Sequence, residues 1–137
     1  MRLFYVLTML ILLGWACSTP KNAVKVKLNE VVAESDSISY ELLTFDSKFE
    51  SWYVLQNSPA KFRSQSYYEN WNRQYVSAWN FNAVQPSKNN FFEPIVGYEP
   101  QVDYGFEINH KLFYYFQYVE NELKIEIMPN GPNAAQF

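Results

Sequence analysis

Residues 64–81 read SQSYYENWNRQYVSAWNF and carry the most regular pattern in the chain. Its large aromatic residues recur at spacings of three, four and four, at Tyr68, Trp71, Tyr75 and Trp79. These spacings place the four side chains on one face of an α-helix, which we expect to end by about Asn82. Such a row forms either a core or a platform for sugar rings. Because exposed aromatic rows promote aggregation, we predict that the face is core.

Capping boxes predict where two helices begin. Ser66 and Glu69 match one such box in the long helix, and Ser47 and Glu50 match another ahead of a short helix. The short helix carries Phe49, Trp52 and Tyr53 and should end at Asn57-Ser58-Pro59. On the long helix, the i,i+4 spacing of Glu69 and Arg73 predicts an ion pair.

Residues 103–123 are predicted to form a second long helix. Its apolar residues repeat at spacings of four, four, three and four, at Ile108, Leu112, Phe116, Val119 and Leu123. Glu107 and Lys111 are expected to pair on its outer side. A strand is the alternative, because Phe113 to Phe116 is uniformly aromatic.

The remaining segments predict a small β element and an ordered loop. Ile38, Tyr40 and Leu42 alternate with polar residues as in a strand, which residues 123–127 would join as a partner. Residues 86–101 contain three prolines and two apolar pairs, so we expect a packed loop. The fold class is therefore α+β and helix-dominated: two or three aromatic-rich helices packed with a short strand or small sheet.

The first 17 residues have the pattern of an export signal. Arg2 precedes an apolar run from Leu3 to Leu13, which is too short to span a bilayer, and Ala16 precedes Cys17. Cys17 is the only cysteine, so no intramolecular disulfide can form. We predict that Cys17 is lipidated with diacylglycerol and an acyl chain such as palmitate, although Gly14 and Trp15 fit a lipobox poorly. Secretion with a free thiol is the alternative.

The chain divides into four predicted segments. They are a signal peptide (1–16), the lipidated cysteine with a flexible tether (17–36), a single globular domain (37–127) and a disordered tail (128–137). Within the tether, Lys25 and Lys27 alternate with Val24, Val26 and Leu28, so a short strand is the alternative there. The formal net charge of −3 does not favour nucleic-acid binding.

Motifs that carry chemistry are largely missing from the sequence. Neither a phosphate-binding glycine loop nor a nucleophile elbow is present, and the single histidine rules out a histidine-cluster metal site within one chain. We therefore predict no metal, no cofactor and no catalytic residue. We interpret His110 as a helix-surface or boundary residue beside Tyr114. Five carboxylates are candidates for an acid/base pair: Asp46, Glu50, Glu69, Asp103 and Glu107. Four of the five lie at predicted helix starts, where negative charge is favoured, so we prefer a capping role to a catalytic one.

Polar residues around the long helix are the candidate binding residues: Arg63, Asn70, Asn72 and Arg73. Lys61 and Arg63 flank Phe62 just before the helix, where two cations could hold a phosphate or carboxylate. A solvated turn with Arg63 in a salt bridge is the simpler interpretation.

Three stretches carry a resemblance to a known family. They are residues 62–75 with Ala78-Trp79-Asn80, the segment from Tyr40 to Trp52, and residues 102–109. Together they resemble an uncharacterised family of small Bacteroidota lipoproteins, over roughly residues 40–123. The resemblance implies a Gram-negative envelope location, for which we favour the periplasmic face of the outer membrane, and it implies no activity.

Two functions remain open. The first is a non-enzymatic envelope lipoprotein whose domain binds another protein. The second is a periplasmic domain that binds or hydrolyses glycan. A flat apolar patch rimmed by amide side chains would favour the first. A concave aromatic site with two carboxylates within ~10 Å of each other would favour the second.

Overall fold

The computed structural model describes residues 26–32, 38–44, 46–95 and 97–133. Two strands, β1 (Val26–Val32) and β2 (Ile38–Thr44), precede three helices, α1 (Ser47–Gln56), α2 (Gln65–Ala83) and α3 (Gly105–Asn121). A 3₁₀ turn (Pro59–Lys61) lies between α1 and α2. The predicted helix-dominated α+β class is confirmed. The predicted signal peptide, Cys17 and residues 134–137 lie outside the described residues.

The two strands form an antiparallel hairpin, with Val26 opposite Thr44 and Val32 opposite Ile38. Residues 26–32 thus form the short strand that was the alternative to a flexible tether. Leu28 and Leu42 are cross-strand partners and both are buried, which attaches the hairpin to the core. Residues 124–126 carry no strand, so the predicted pairing of residues 123–127 with the segment near Tyr40 is wrong.

The helices begin at different caps from those predicted. Asp46 caps α1 by accepting from the backbone amides of Lys48 (2.8 Å) and Phe49 (3.3 Å). Ser64 caps α2 by accepting from the amide of Tyr67 at 3.2 Å. The predicted boxes at Ser47 and Ser66 are therefore wrong.

Helix α3 forms the centre of the molecule. Residues 105–121 are helical, so the helix prediction for this segment is confirmed and the strand alternative is wrong. A helix that is buried on most sides belongs in a core, and α3 has ten buried residues: Asn109, His110, Leu112, Phe113, Tyr114, Tyr115, Phe116, Gln117, Tyr118 and Val119. None of the described helices is long and apolar enough to cross a bilayer.

The aromatic face of α2 packs against α3. Tyr75 stacks on Phe116 with ring centroids 4.8 Å apart, and Tyr68 lies 5.2 Å from Phe113. Tyr68, Tyr75 and Trp79 are at most 1 % exposed, which confirms the core prediction for them. Trp71 is only partly buried, at the edge of the core.

The proline-containing loop of residues 86–101 is packed, as predicted. Phe92 and Ile95 are buried, and Trp79 donates its indole N–H to the carbonyl of Glu93 at 2.6 Å. Gly97 has φ +91° and lies so close to the Leu28 carbonyl that a side chain would not fit.

The predicted disordered tail contains described structure. Residues 128–133 have defined positions, and the amide of Met128 donates to Glu120 at 3.3 Å. Gly131 lies against Tyr75 and Glu120. The ordered part of the domain therefore continues past the predicted boundary at residue 127.

Candidate functional site

His110 is a core residue. It is 1 % exposed, and its ring lies 4.6 Å from Tyr114, 4.8 Å from Phe62 and 5.0 Å from Tyr68. The prediction that it neighbours Tyr114 is confirmed, but the surface or boundary position is wrong. The cause is that α3 is covered by other elements on nearly every side.

The polar contacts of His110 are few. Its Nδ1 lies 2.7 Å from the hydroxyl of Tyr53, and its Nε2 has no hydrogen-bond partner among the described residues. Burial lowers the pKa of His110 from 6.5 to about 4, so the ring is neutral at pH 7. A neutral ring enclosed by aromatic side chains packs as part of the core.

Asn72 is likewise structural, although the sequence made it a candidate binding residue. Its side chain is fully buried and donates to the carbonyl (2.9 Å) and to Oδ1 (3.1 Å) of Asn109. It thereby connects α2 to α3 inside the core. A buried amide with two such bonds holds helix register and is unavailable to a ligand.

The other three candidate residues, Arg63, Asn70 and Arg73, are exposed. Arg73 donates to Asn70 at 3.4 Å. The predicted ion pair between Glu69 and Arg73 is not formed. Glu69 accepts a hydrogen bond from Gln65 at 2.7 Å instead. Asn70 and Arg73 share one face of α2, whereas Arg63 lies in the loop before the helix.

That outward face of α2 also carries apolar side chains. Phe81 is 64 % exposed, and Val84, just after the helix, is 73 % exposed. A shallow surface depression of about 580 Å³ is lined by Arg73, Gln74, Ser77, Ala78 and Phe81. We call these residues, with Asn70 and Val84, the α2 face. The sequence contained this signal, because Phe81 is two positions past Trp79 and so points away from the core.

A second candidate site is a groove of about 660 Å³ between β2 and the start of α3. It is lined by Tyr40, Glu41, Leu42, residues 103–108 and Lys111. Tyr40 and Tyr104 pack edge to face with centroids 4.7 Å apart. The Tyr104 hydroxyl donates to the Gly97 carbonyl at 2.8 Å and accepts from the Glu99 amide at 2.7 Å. These two packed rings therefore form a fixed part of the groove wall.

Lys111, the lysine that lines the groove, forms a salt bridge. Lys111 lies 2.8 Å from Glu50, so the predicted pairing with Glu107 is replaced by a link from α3 to α1. Glu50 also accepts from the hydroxyl of Thr44. Burial raises the pKa of Glu50, but these bonds and the charge of Lys111 outweigh it, so the pKa is lowered from 4.5.

Two of the five candidate carboxylates are brought together. Gln65 donates through Nε2 to Glu69 and to Asp103, at 2.7 Å each. Asp103 also accepts from the amide of Gly105 at 2.9 Å, at the start of α3. The described residues hold no cluster of three or more side chains suited to bind a metal ion.

The sequence profile of a family of unknown function, DUF6146, matches residues 3–131. The chain belongs to this family. The DUF6146 match ends at Gly131, which lies against Tyr75, so the family unit contains the ordered residues 128–131 as well as both strands and all three helices. No curated protein and no solved structure matches the chain.

Proposed function

We propose that this DUF6146 protein is a non-enzymatic lipoprotein of the bacterial cell envelope whose domain docks on another protein. The observation that carries the docking proposal is the exposure of Phe81 and Val84, 64 % and 73 %, beside Arg73 on the α2 face. Interfaces are enriched in aromatic residues and arginine. Asn70, Gln74 and Ser77 are exposed polar residues on the same face. The opposite face of α2 packs against α3, so the α2 face is the side of this helix that is exposed.

The envelope location is supported by residues 1–17. The basic start, the apolar run and the small residue before Cys17 fit export followed by lipidation. Several acyl chains on Cys17 would hold the protein on a membrane, at ~0.8 kcal/mol for each buried methylene. We place it on the periplasmic face of the outer membrane, because no acidic cluster follows Cys17 as a surface-export signal.

Replacing Cys17 tests the anchor. We expect the wild-type protein, expressed in its native envelope, to enter the detergent phase on phase separation and Cys17→Ala to enter the aqueous phase. Mass spectrometry should find the added acyl mass on a peptide that begins at Cys17. If both proteins stay in the aqueous phase, or if the thiol is unmodified, the anchor proposal is wrong.

Partner recovery tests the docking proposal. We expect a specific protein to be recovered with the wild-type chain from crosslinked envelopes, and recovery to drop at least tenfold with Phe81→Ser, equivalent to about 1.4 kcal/mol of binding. Arg73→Ala should also weaken recovery. Lys48→Ala, at an exposed residue of α1, is the matched control. Equal recovery by all four proteins would contradict docking through this face.

Glycan hydrolysis is the second candidate, because of the Glu69–Asp103 pair. Both carboxylates lie 2.7 Å from the same amide nitrogen of Gln65. Their bonded oxygens are therefore at most as far apart as the ~5–5.5 Å separation of retaining glycosidases. Asp103 lines the groove, whereas Glu69 does not. Turnover of a glycan by the purified protein, abolished by both Glu69→Gln and Asp103→Asn, would replace the docking proposal with this one.

A further inference from the structure

We propose that the protein bound by the α2 face is a second copy of this chain, and that the two α2 helices pair antiparallel about a two-fold axis beside Ser77. The inference deepens the docking proposal, on which it rests, by naming the partner. The exposed residues of the face recur symmetrically about one position, and the side chains that this symmetry brings together are complementary.

The exposed residues of the α2 face are spaced evenly on either side of Ser77. Arg73 and Phe81 lie four residues before and after it, and Asn70 and Val84 lie seven before and after it; all five are exposed. Because a helix turns by about 100° per residue, the four that lie in α2 fall within an arc of about 80°. Arg73, Ser77 and Phe81 also line one surface depression, so they share a single surface.

This spacing is the one that an antiparallel pair of identical helices requires. When a two-fold axis passes beside Ser77, each residue of one helix faces the residue that lies equally far on the other side of Ser77 in the second helix. Arg73 therefore faces Phe81 of the second copy, and Phe81 faces Arg73 of the second copy. The contact is closed, because both copies use the same surface.

The facing side chains are chemically complementary. An arginine guanidinium is attracted to the face of an aromatic ring, and the attraction is stronger where water is excluded. The bond from Arg73 to Asn70 is 3.4 Å long and uses one of the five N–H donors of the guanidinium, which leaves its plane able to stack on a ring. Phe81 is 64 % exposed and becomes covered in the pair. Each dimer contains this contact twice.

The middle of the α2 face allows two helices to approach closely. Ser77 and Ala78 have small side chains and lie where the helices would cross. Small residues at a crossing favour the short end of the usual distance between helix axes, roughly 8–10 Å. Arg73, Ser77 and Phe81 also form a row with a spacing of four, and rows of this kind interlock in the commonest class of helix packing.

The charge of the α2 face favours the antiparallel arrangement over a parallel one. The sequence contains no acidic residue from Asn70 to Phe92, although the chain has a formal net charge of −3. Arg73 is the only charged residue of the face. In the antiparallel pair the two Arg73 residues are about 12 Å apart along the helices. In a parallel pair they would lie side by side, and like charges in contact oppose association.

The paired surface is small, and the proposed Cys17 anchor compensates for its size. The face extends from Asn70 to Val84, which is about 21 Å of a helix about 10 Å wide. Such a strip is smaller than the ~800 Å² that each partner buries in a standard interface, so pairing in dilute solution is weak. Two chains anchored to one bilayer are held at a high effective concentration, which favours the dimer.

Disulfide trapping at matched positions tests the pairing in native envelopes, where the proposed anchor acts. Ser77→Cys introduces a thiol at the two-fold axis, where close helix packing brings the two Cα atoms within about 7 Å, the reach of a disulfide. Asn70→Cys is the matched control, because Asn70 is equally an exposed residue of the α2 face but lies about 21 Å along the helix from its copy. Copper phenanthroline is the oxidant, and mass spectrometry identifies the joined peptides. The wild-type chain measures any crosslinking through Cys17 alone.

We expect the dimer joined through position 77 to form about tenfold faster than a dimer joined through position 70, because only the first pair of thiols is held together. Adding Phe81→Ser to Ser77→Cys should slow it to the rate at position 70. Equal crosslinking at both positions, no dimer through position 77, or a dimer that Phe81→Ser leaves unchanged would overturn the inference. If position 77 forms no dimer while recovery of a different protein still depends on Phe81, the inference is wrong and the docking proposal stands.

Discussion

Trp79→Ala is expected to lower the free energy of unfolding by about 3–5 kcal/mol, the usual cost of truncating a buried tryptophan. Trp79 is fully buried, and its ring contacts Phe92 (4.8 Å), Tyr115 (5.8 Å) and Phe116 (5.9 Å). It also donates to the Glu93 carbonyl, which fixes the proline-containing loop. The substitution leaves a cavity and also removes the hydrogen bond to the Glu93 carbonyl. Since domains of this size have only ~5–15 kcal/mol of stability, much of the protein should unfold.

Chemical denaturation monitored by circular dichroism measures this effect. Trp71→Ala is the matched control, because Trp71 belongs to the same aromatic row but is only partly buried. We expect it to cost clearly less than Trp79→Ala. If the two substitutions cost the same, or if Trp79→Ala leaves the denaturation midpoint unchanged, the assignment of Trp79 to the core is wrong.

Acid is expected to destabilise the domain through His110 by about 3 kcal/mol between pH 7 and pH 4. Burial holds the pKa of His110 at about 4 in the folded protein, against 6.5 for an exposed histidine. The unfolded chain therefore binds the proton first as the pH falls. The loss of stability begins near pH 6.5 and is complete below about pH 4, with about 1.4 kcal/mol for each unit of pKa difference.

The pH dependence of His110→Gln isolates this contribution. The variant has no group that titrates at position 110, so the difference in unfolding free energy between it and the wild type should change by about 3 kcal/mol over that range. Glu50, whose pKa is lowered by Lys111 and Thr44 against the effect of burial, loses its stabilisation at still lower pH in both proteins. A difference that is independent of pH would show that His110 is not held neutral.

The long helices could be predicted from the sequence because their periodicity extends over several turns. The spacing of Tyr68, Tyr75 and Trp79 is enough to define the buried face of α2. The helix starts could not be predicted as reliably, because capping residues cluster there. Asp46 precedes Ser47, and Ser64 lies near Ser66, so local pattern offered two caps for each helix.

The hairpin was harder to predict than the helices, for a physical reason. Strand β1 lies in a segment without aromatic residues, and its partner is fixed by cross-strand packing of Leu28 on Leu42. A pattern within one segment does not contain that information. The same limit explains His110, which lies off the apolar stripe of α3 and is nevertheless enclosed by Phe62 from the loop before α2.

The candidate site was predicted in part. Arg73 and Asn70 were predicted as candidate binding residues, and both are exposed. Asn72 was predicted with them, but each residue turns the helix by about 100°, which carries this amide into the core. The same rotation exposes Phe81, which residue type alone would assign to the core.

Photocrosslinking from the α2 face in native envelopes tests the central proposal most directly. A photoreactive residue replaces Phe81 in one protein and the exposed groove residue Glu107 in another. We predict that the residue at position 81 crosslinks one defined protein, that the residue at position 107 does not, and that Arg73→Ala reduces the crosslink. Crosslinks from position 107 alone, or none from position 81 in envelopes that contain the folded protein, would contradict docking through the α2 face.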